Sequence, residues 1–401
     1  MARLASLASF GSLLLSFPFA LAAGCDGELS GSSGDDAAGG ATASSTANAS
    51  TTANASTSAN GMATTTNTTG TGGAPPGTVP VFVAQGHMGR LMVSCDDGHT
   101  FVANQSADDG AQCWANNNMP DCDHSEWAGR GLAFGNGAFV STFGWGYPGV
   151  VRRSTDGVTW QDTWSEPPTF ADIAFGNGKF VANNSPTSIS VDGVTWEEGG
   201  DLSLNVGNVR AIEFVPHGAG LFVITGESGE NRDIVMSDDG ITWRHPTTRP
   251  PECGSYVLNI AYGAGTIAIF SGNGSVCTST DGGDTWTLND VNDSLSSPGV
   301  WTGSEFFVYG GSTLFKSSDG QAWDSQPISP SISIGALARS DQGTFVAHES
   351  SWLGWYEDQE MYRSENGIDW EVLPAGSFVP SHPINFIQFG YAEPSSVCPL
   401  P

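Results

Sequence analysis

The chain has 401 residues, of which 42 are acidic and 13 are basic, so its formal net charge at pH 7 is −29. Nucleic-acid binding requires clustered lysine and arginine, and we therefore predict no nucleic-acid partner. We attribute the acidity to solubility.

The first residues have the features of a secretory signal. Arg3 precedes an apolar run, LLLSFPFALAA, that is too short and too interrupted by proline to span a membrane. The run ends at LAAGC, which resembles a bacterial lipobox, where a cysteine is diacylated and becomes the mature N-terminus. We predict a lipoprotein signal peptide over residues 1–24 and a lipid on Cys25 that anchors the chain to a bacterial membrane, in the periplasm or at the cell surface. An ordinary signal peptide with an incidental cysteine is the alternative.

Residues 25–78 consist almost entirely of Ser, Thr, Ala, Asn and Gly. Almost no large apolar side chain is present to offset the entropy lost on ordering, so we predict a disordered, flexible linker. The remaining residues, 79–401, suit one large all-β domain.

A short pattern that starts with serine, contains an acid or amide before glycine, and ends with an aromatic residue recurs along this domain. The copies read SCDDGHTF, STDGVTW, SVDGVTW, SDDGITW, STDGGDTW, SSDGQAW and SENGIDW. Their closing aromatics stand at positions 101, 160, 196, 243, 286, 323 and 370, and these spacings are about the length of one four-stranded propeller blade. We predict seven blades with one copy each; six or eight are the alternatives.

The pattern has a physical explanation as a turn. Apolar hairpins such as GLAFGNGAFVSTF (131–143) precede each copy and supply strands A and B, so the copy itself joins strand C to strand D. The aspartate accepts hydrogen bonds from amides two residues on, the glycine adopts a positive φ, and the aromatic ring packs beneath. Two copies alter the pattern and predict looser turns: copy six through Ala322, and copy seven through Glu365, Asn366 and Asp369.

The chain ends predict how the ring closes. VFVAQG (81–86) has the pattern of a B strand without an A strand before it, and INFIQFG (384–390) has that of an A strand with no turn after it. We predict that the C-terminal strand completes the first blade and so removes exposed sheet edges.

Six cysteines remain when Cys25 is set aside, and an even number in an exported protein predicts disulfides. Fifteen pairings are possible. We favour Cys113–Cys122, Cys253–Cys277 and Cys95–Cys398, the last because it would join the two chain ends. The spacing is not that of a zinc or redox site, so we predict no metal and no cofactor.

The repeated turns resemble those of the Asp-box, or BNR-repeat, β-propeller superfamily, which includes sialidases, xyloglucanases, sortilin-type receptors and photosystem II assembly-factor-like proteins. The resemblance covers about residues 79–391. It implies an all-β, seven-bladed propeller of four-stranded antiparallel blades. It indicates little about function, because the turn stabilises the blade away from the central channel.

In a propeller the D-to-A and B-to-C connections share one face, here called the loop face, opposite the corner face that carries the repeated turns. Long insertions at 105–129, 144–149 and 348–360 place aromatic residues on the loop face: Trp114, Trp127, Trp145, Tyr147, Trp352, Trp355 and Tyr356. Exposed aromatics stack on sugars or anchor protein partners, so we predict a protein or glycan ligand. Packing of these rings against each other, to hold the loops down, is the alternative.

We predict no catalytic residues. Sialidases use three converging arginines, but Arg130 and Arg210 begin A strands whereas Arg339 ends one. Glycoside hydrolysis needs two carboxylates about 5 to 9.5 Å apart, and the acids near the channel or in the loops give no specific pair: Glu213, Asp123, Glu126, Glu349 and Glu357. The sequence favours a monomeric, non-catalytic binding module; a glycoside hydrolase of sialidase or xyloglucanase type that uses channel carboxylates is the alternative.

Overall fold

The structure is a computed structural model that describes residues 74–105, 129–144, 149–164, 170–183, 186–202, 208–228, 231–349, 359–379 and 383–400. Seven antiparallel sheets form a ring of blades, which confirms the predicted seven-bladed β-propeller. Within the described residues the chain forms strands, turns and connections, and no helix there is long and apolar enough to cross a membrane.

The strands of each blade are given from the inner, channel-side strand outward. Blade one has β27 (Ile384–Ala392), β1 (Val79–Gly86), β2 (Leu91–Ser94) and β3 (Val102–Gln105). Blade two has β4 (Gly129–Gly135), β5 (Ala138–Phe143), β6 (Val150–Ser154) and β7 (Gln161–Trp164). Blade three has β8 (Ile173–Gly176), β9 (Lys179–Ala182), β10 (Ser188–Ser190) and β11 (Glu197–Glu198). Blade four has β12 (Asn208–Val215), β13 (Leu221–Ser228) and β14 (Asn231–Ser237).

The last three blades follow the same order. Blade five has β15 (Val257–Gly263), β16 (Thr266–Ser271), β17 (Ser275–Ser279) and β18 (Thr287–Asp290). Blade six has β19 (Val300–Trp301), β20 (Phe306–Gly310), β21 (Thr313–Ser317) and β22 (Asp324–Pro327). Blade seven has β23 (Leu337–Arg339), β24 (Phe345–His348), β25 (Met361–Ser364) and β26 (Glu371–Val372).

Blade four differs from the others because its fourth strand is reduced to a single bridge. Met236 and Arg244 exchange two backbone hydrogen bonds, each 2.9 Å long. Pro246 follows, and proline has no amide hydrogen to continue the ladder. The chain instead turns toward blade five, where Thr247 and Thr248 donate backbone hydrogen bonds to the Asp284 carbonyl.

The ring closes as the sequence predicts. Strand β27 pairs with β1 along its length, from Val79 opposite Ala392 to Gly86 opposite Ile384. The predicted disulfide Cys95–Cys398 joins the same two chain ends, with Cα atoms 5.5 Å apart.

The other predicted disulfides have different outcomes. Cys253–Cys277 is confirmed, with Cα atoms 5.7 Å apart. Cys113 and Cys122 lie outside the described residues. Disulfides of this kind are typical of oxidising, extracytoplasmic compartments.

The core is divided among the seven junctions between neighbouring blades. Each junction holds one cluster of buried apolar side chains, and each cluster draws its members from two adjacent blades. Phe175 and Phe214 are the next-to-last residues of the inner strands of blades three and four. Their rings occupy the space that a Cβ would need on a glycine of the preceding blade, Gly135 for Phe175 and Gly176 for Phe214. The glycine in each of these two Phe-Gly pairs therefore leaves the space into which the aromatic ring of the next blade packs.

Each repeated segment forms a corner. In every one the serine Oγ accepts the amide of the corner glycine, and the Asp or Asn oxygen accepts one or two of the amides that follow. In corner two, Asp156 Oδ1 accepts the Val158 and Thr159 amides at 2.8 and 2.7 Å, and the Gly157 amide donates to Ser154 Oγ at 2.8 Å. The indole of Trp160 donates to the Gly157 carbonyl at 3.2 Å. The bond from the Val158 amide to Asp156 is the one that the sequence pattern predicts, and the bonds at Ser154 and Trp160 add to it.

The looser corners predicted for blades six and seven are not observed in the hydrogen bonds. Asn366 Oδ1 accepts the Ile368 and Asp369 amides at 2.8 Å each, because an amide oxygen replaces the carboxylate oxygen without loss of geometry. In blade six, Asp319 still accepts the Ala322 amide, at 3.1 Å, since the bond uses the backbone and not the missing threonine side chain.

The corners also contact the preceding blade, which sequence reasoning did not predict. A Cβ added to Gly193 would lie 2.6 Å from Val140 Cγ2 of blade two, and one added to Gly240 would lie 2.9 Å from Val181 Cγ2 of blade three. Side chains of the preceding blade donate to corner carbonyls as well: Arg153 Nε to Asp192 at 2.8 Å, and Lys179 Nζ to Asp239 at 3.0 Å. Each of these corners therefore stabilises its own blade and also the junction with the preceding blade.

Two glycines separate the effect of this junction from that of backbone strain. Gly193 and Gly137 have nearly equal φ angles of 73° and 72°, but no atom lies within 4 Å of a Cβ on Gly137. We expect Gly137→Ala to lower the free energy of unfolding by about 1–2 kcal/mol through strain alone. Gly193→Ala adds overpacking against Val140 and should lose a further 1–3 kcal/mol or so. Urea unfolding of the two variants measures the difference, and equal losses would show that the junction contributes nothing.

The corner aspartates predict a pH dependence. Amide hydrogen bonds from Thr195 and Val194 lower the pKa of Asp192 from its ordinary value. Its stabilising effect is therefore complete above the pKa of the unfolded chain and is lost as the pH falls through the lower folded pKa. Asp192→Asn keeps the acceptor oxygen, as Asn366 does in corner seven, but has no proton to bind. We expect its stability near pH 7 to stay close to that of the parent chain and its acid unfolding curve to be less steep; unchanged steepness would contradict this explanation.

Candidate functional site

The seven predicted binding aromatics, and with them Cys25, Asp123, Glu126 and Glu357, lie outside the described residues. The described strands do fix where their loops attach. The loops leave the loop face between β3 and β4, between β5 and β6, and between β24 and β25. These attachment points belong to blades seven, one and two, which are consecutive around the ring.

Arg90 connects blade one to blade seven beneath these attachment points. It lies in the turn between β1 and β2 and is completely buried. Its Nη1 donates to Gln359 Oε1 at 3.0 Å, just before β25, where the connection from β24 ends. Its Nη2 donates to the Val379 carbonyl, in the segment that leads to β27. A charged side chain without solvent needs such hydrogen bonds, and they fix three chain segments relative to each other.

His348 ends β24 beside this arginine. Its ring is fully buried and its Nδ1 lies 2.8 Å from the Glu349 carbonyl oxygen. Burial lowers its pKa to about 4, and the nearby charge of Arg90 acts in the same direction. The imidazole is therefore neutral at pH 7.

Gln85 makes the corresponding connection between blades one and two. Its Nε2 donates its two hydrogens to Ser141 Oγ and the Thr142 carbonyl, both at 2.7 Å, and shares one of them with the Gly131 carbonyl at 3.1 Å. Gln85 is fully buried, so these bonds are made without competition from solvent. Blades seven, one and two thus form a rigid base beneath the three loops.

Two carboxylates stand on inner strands or at their starts, and both are hydrogen-bonded to backbone amides. Asp172 Oδ1 accepts the Ile173 amide at 2.8 Å, and its Oδ2 accepts the Ile212 amide of blade four at 3.1 Å. Burial raises the pKa of Asp172 to about 7. The two amide hydrogen bonds and the charge of Arg130 act in the opposite direction, because they favour the charged carboxylate, but their effect is smaller. Glu213 Oε1 accepts the Phe214 amide at 3.2 Å. Sequence reasoning identified Glu213 and missed Asp172, whose only signal is its place just before the repeated apolar A strand.

The three arginines considered for a sialidase site do not converge. The pKa of Arg130 is lowered by burial and also by the charge of Arg210. Both residues stand near the start of their inner strands. Arg339 stands at the opposite end of β23, with its guanidinium 5.4 Å from the centre of the Phe345 ring. Strand direction produces this separation, as the sequence predicts.

Within the described ranges, no group of three or more His, Cys, Asp or Glu residues is arranged to hold a metal ion. What the described ranges contribute is the hydrogen-bonded base formed by blades seven, one and two, to which the three loops attach.

No protein family and no curated protein matches the chain. Solved structures do match. A protein from Lactobacillus plantarum aligns with a TM-score of 0.53 and 11% identity, over 78% of this chain and 99% of that one. A structure of YCF48 bound to D1 peptide aligns with a TM-score of 0.48 and 17% identity, over 68% of this chain and 90% of that one. YCF48 from Cyanidioschyzon merolae aligns with a TM-score of 0.48 and 17% identity, over 66% of this chain and 89% of that one. At these identities, the similarity to the Lactobacillus protein supports the β-propeller fold and nothing more specific.

Proposed function

We propose that this protein is a non-catalytic, lipid-anchored, extracytoplasmic propeller that binds a protein or glycan through the aromatic loops of its loop face. One observation supports this most directly. The loops that carry the seven aromatics attach to three consecutive blades, which buried side chains such as Arg90 and Gln85 hold together. A rigid base reduces the entropy lost on binding and so favours recognition.

The non-catalytic part of the proposal rests on the use of the channel carboxylates. Both oxygens of Asp172 and the Oε1 of Glu213 accept backbone amides, so each carboxylate already has a structural partner. Asp172 also stabilises the contact between blades three and four. A general acid and its partner would instead point their carboxyl groups toward a bound sugar.

The anchoring part rests on the N-terminal sequence. A lipid on Cys25, followed by a linker that ends near residue 78, would place the propeller away from the membrane surface. The two disulfides agree with a location outside the cytoplasm.

Binding can be tested with a variant in which Trp352, Trp355 and Tyr356 are replaced together by alanine. A glycan array and cross-linking to a cell-envelope extract of the source organism measure the interaction. We expect the variant to lose at least about 30-fold in affinity for whatever ligand the parent chain binds, because buried interface aromatics each contribute about 2 kcal/mol or more.

The matched control is Val191→Ala combined with Ile241→Ala, since these side chains are 64% and 52% exposed on the corner face. The control should bind like the parent chain. Equal binding by the aromatic variant would refute the proposed surface. Turnover of aryl glycosides by the parent chain that is lost in Asp172→Asn or Glu213→Gln would favour the hydrolase instead.

Lipid anchoring is tested by Cys25→Ala. We expect the parent chain to sediment with the membrane fraction and the variant to stay in the supernatant, because it lacks the acylated residue. Metabolic labelling with a fatty-acid analogue provides a direct readout. A labelled variant, or a parent chain without label, would contradict the lipoprotein assignment.

A further inference from the structure

Tyr256 presents an exposed aromatic ring on the loop face of blade five. It lies directly before β15, at the channel side of the blade, and is 63% exposed. The large hydrophobic side chains exposed elsewhere in the described residues are aliphatic. An isolated ring of this size at the surface loses favourable burial, so its position calls for an explanation.

The backbone at Tyr256 is strained. Its φ is +50°, in the left-handed region that favours glycine and disfavours bulky residues. Such strain persists only where the surrounding structure enforces it, and it is often found at functional sites. Here the Gly272 amide donates to the Tyr256 carbonyl at 2.9 Å, and the disulfide Cys253–Cys277 fixes the segment that leads to it.

Two further segments complete a continuous surface around Tyr256. The Leu295 amide donates to the Gly272 carbonyl, and the Val291 amide donates to the Gly274 carbonyl, both at 3.1 Å. The turn between β16 and β17 is therefore bonded to Tyr256 on one side and to the 291–295 connection on the other. We call these three segments, 252–256, 271–275 and 290–295, the blade-five surface.

The charge of the blade-five surface has one sign. Glu252, Asp290 and Asp293 are exposed, and residues 251–276 and 287–299 contain no Lys, Arg or His. The preceding basic residue, Arg249, lies with its Nη2 3.5 Å from Asp233 Oδ1, so an acidic side chain offsets its charge. Anionic ligands are repelled by this surface, and a neutral sugar gains no long-range attraction from its net charge.

We propose that the blade-five surface binds a basic peptide segment of a protein partner, with a lysine or arginine side chain over the Tyr256 ring. A cation over an aromatic face is attracted by the ring quadrupole, and the three carboxylates add long-range attraction. The fixed backbone holds the ring ready for this contact before the peptide arrives. The surface lies on blade five, whereas the aromatic loops attach to blades seven, one and two, so this inference does not depend on the proposed function.

The test uses the full-length chain and a fluorescein-labelled hexa-arginine peptide, with fluorescence anisotropy as the readout. Labelled hexaglutamate and cellohexaose are the comparison ligands. We expect hexa-arginine to bind with a salt-dependent affinity, and Tyr256→Ala to weaken it about two- to fivefold while Tyr256→Phe keeps it. Glu252→Gln combined with Asp293→Asn should weaken the affinity further and reduce its salt dependence.

Non-specific attraction between a polycation and an acidic protein is controlled by Ile241→Ala, which removes an exposed side chain from the corner face. This variant should bind hexa-arginine like the parent chain. Tyr256→Gly provides a second readout, because it relieves the strained φ: we expect an equal or higher Tm together with the weaker binding. Equal hexa-arginine affinity for Tyr256→Ala and Ile241→Ala would overturn the proposal. So would binding of cellohexaose or hexaglutamate in preference to hexa-arginine.

Discussion

The structure depends on the contact between each corner glycine and the blade behind it. Among the described residues no blade has a core of its own, because each buried apolar cluster lies between two neighbouring blades. A positive φ at positions such as Gly193 turns the chain, and the absent side chain lets the turn approach Val140 of the preceding blade. One residue type therefore satisfies a local requirement and a long-range one, which explains why the sequence repeats it in every copy.

The same dependence on neighbours makes the chain ends critical. Blade one has contacts on both sides only when β27 completes it, and the β27–β1 ladder and the Cys95–Cys398 disulfide both act at that point. The outer strands face a different problem, since their free edges can pair with other molecules. Five of them carry an exposed carboxylate, at Asp162, Glu197, Asp290, Asp324 and Glu371. Like charges on short edge strands disfavour such pairing, which gives part of the acidity of the chain a structural role.

Features governed by local chemistry could be predicted from the sequence, and those governed by contacts between distant residues largely could not. The corner hydrogen bonds follow from Asp, Gly and Ser at fixed offsets, and the closing strand follows from a missing partner at each end. The packing of the Phe175 ring against Gly135 could not be predicted, because the two residues belong to different repeats. Asp172 was missed for the same reason, since its partner amide at Ile212 lies forty residues on. Blade four has a single bridge in place of its fourth strand, because Pro246 has no amide hydrogen to extend the ladder that the repeat predicts.

The repeat also separates the residues that stabilise the ring from those available for recognition. Residues that recur in every blade hold the ring together, and they are concentrated at the corner face and along the inner strands. Tyr256, which has no counterpart in the other blades, stands on the loop face, where no repeated contact constrains it. The strained backbone at Tyr256 is held by the disulfide and by the neighbouring turns of blade five. These local contacts offset the strain energy, so the junctions between blades are not weakened. Positions that break the repeat without weakening a junction are therefore where the function of this propeller is best sought.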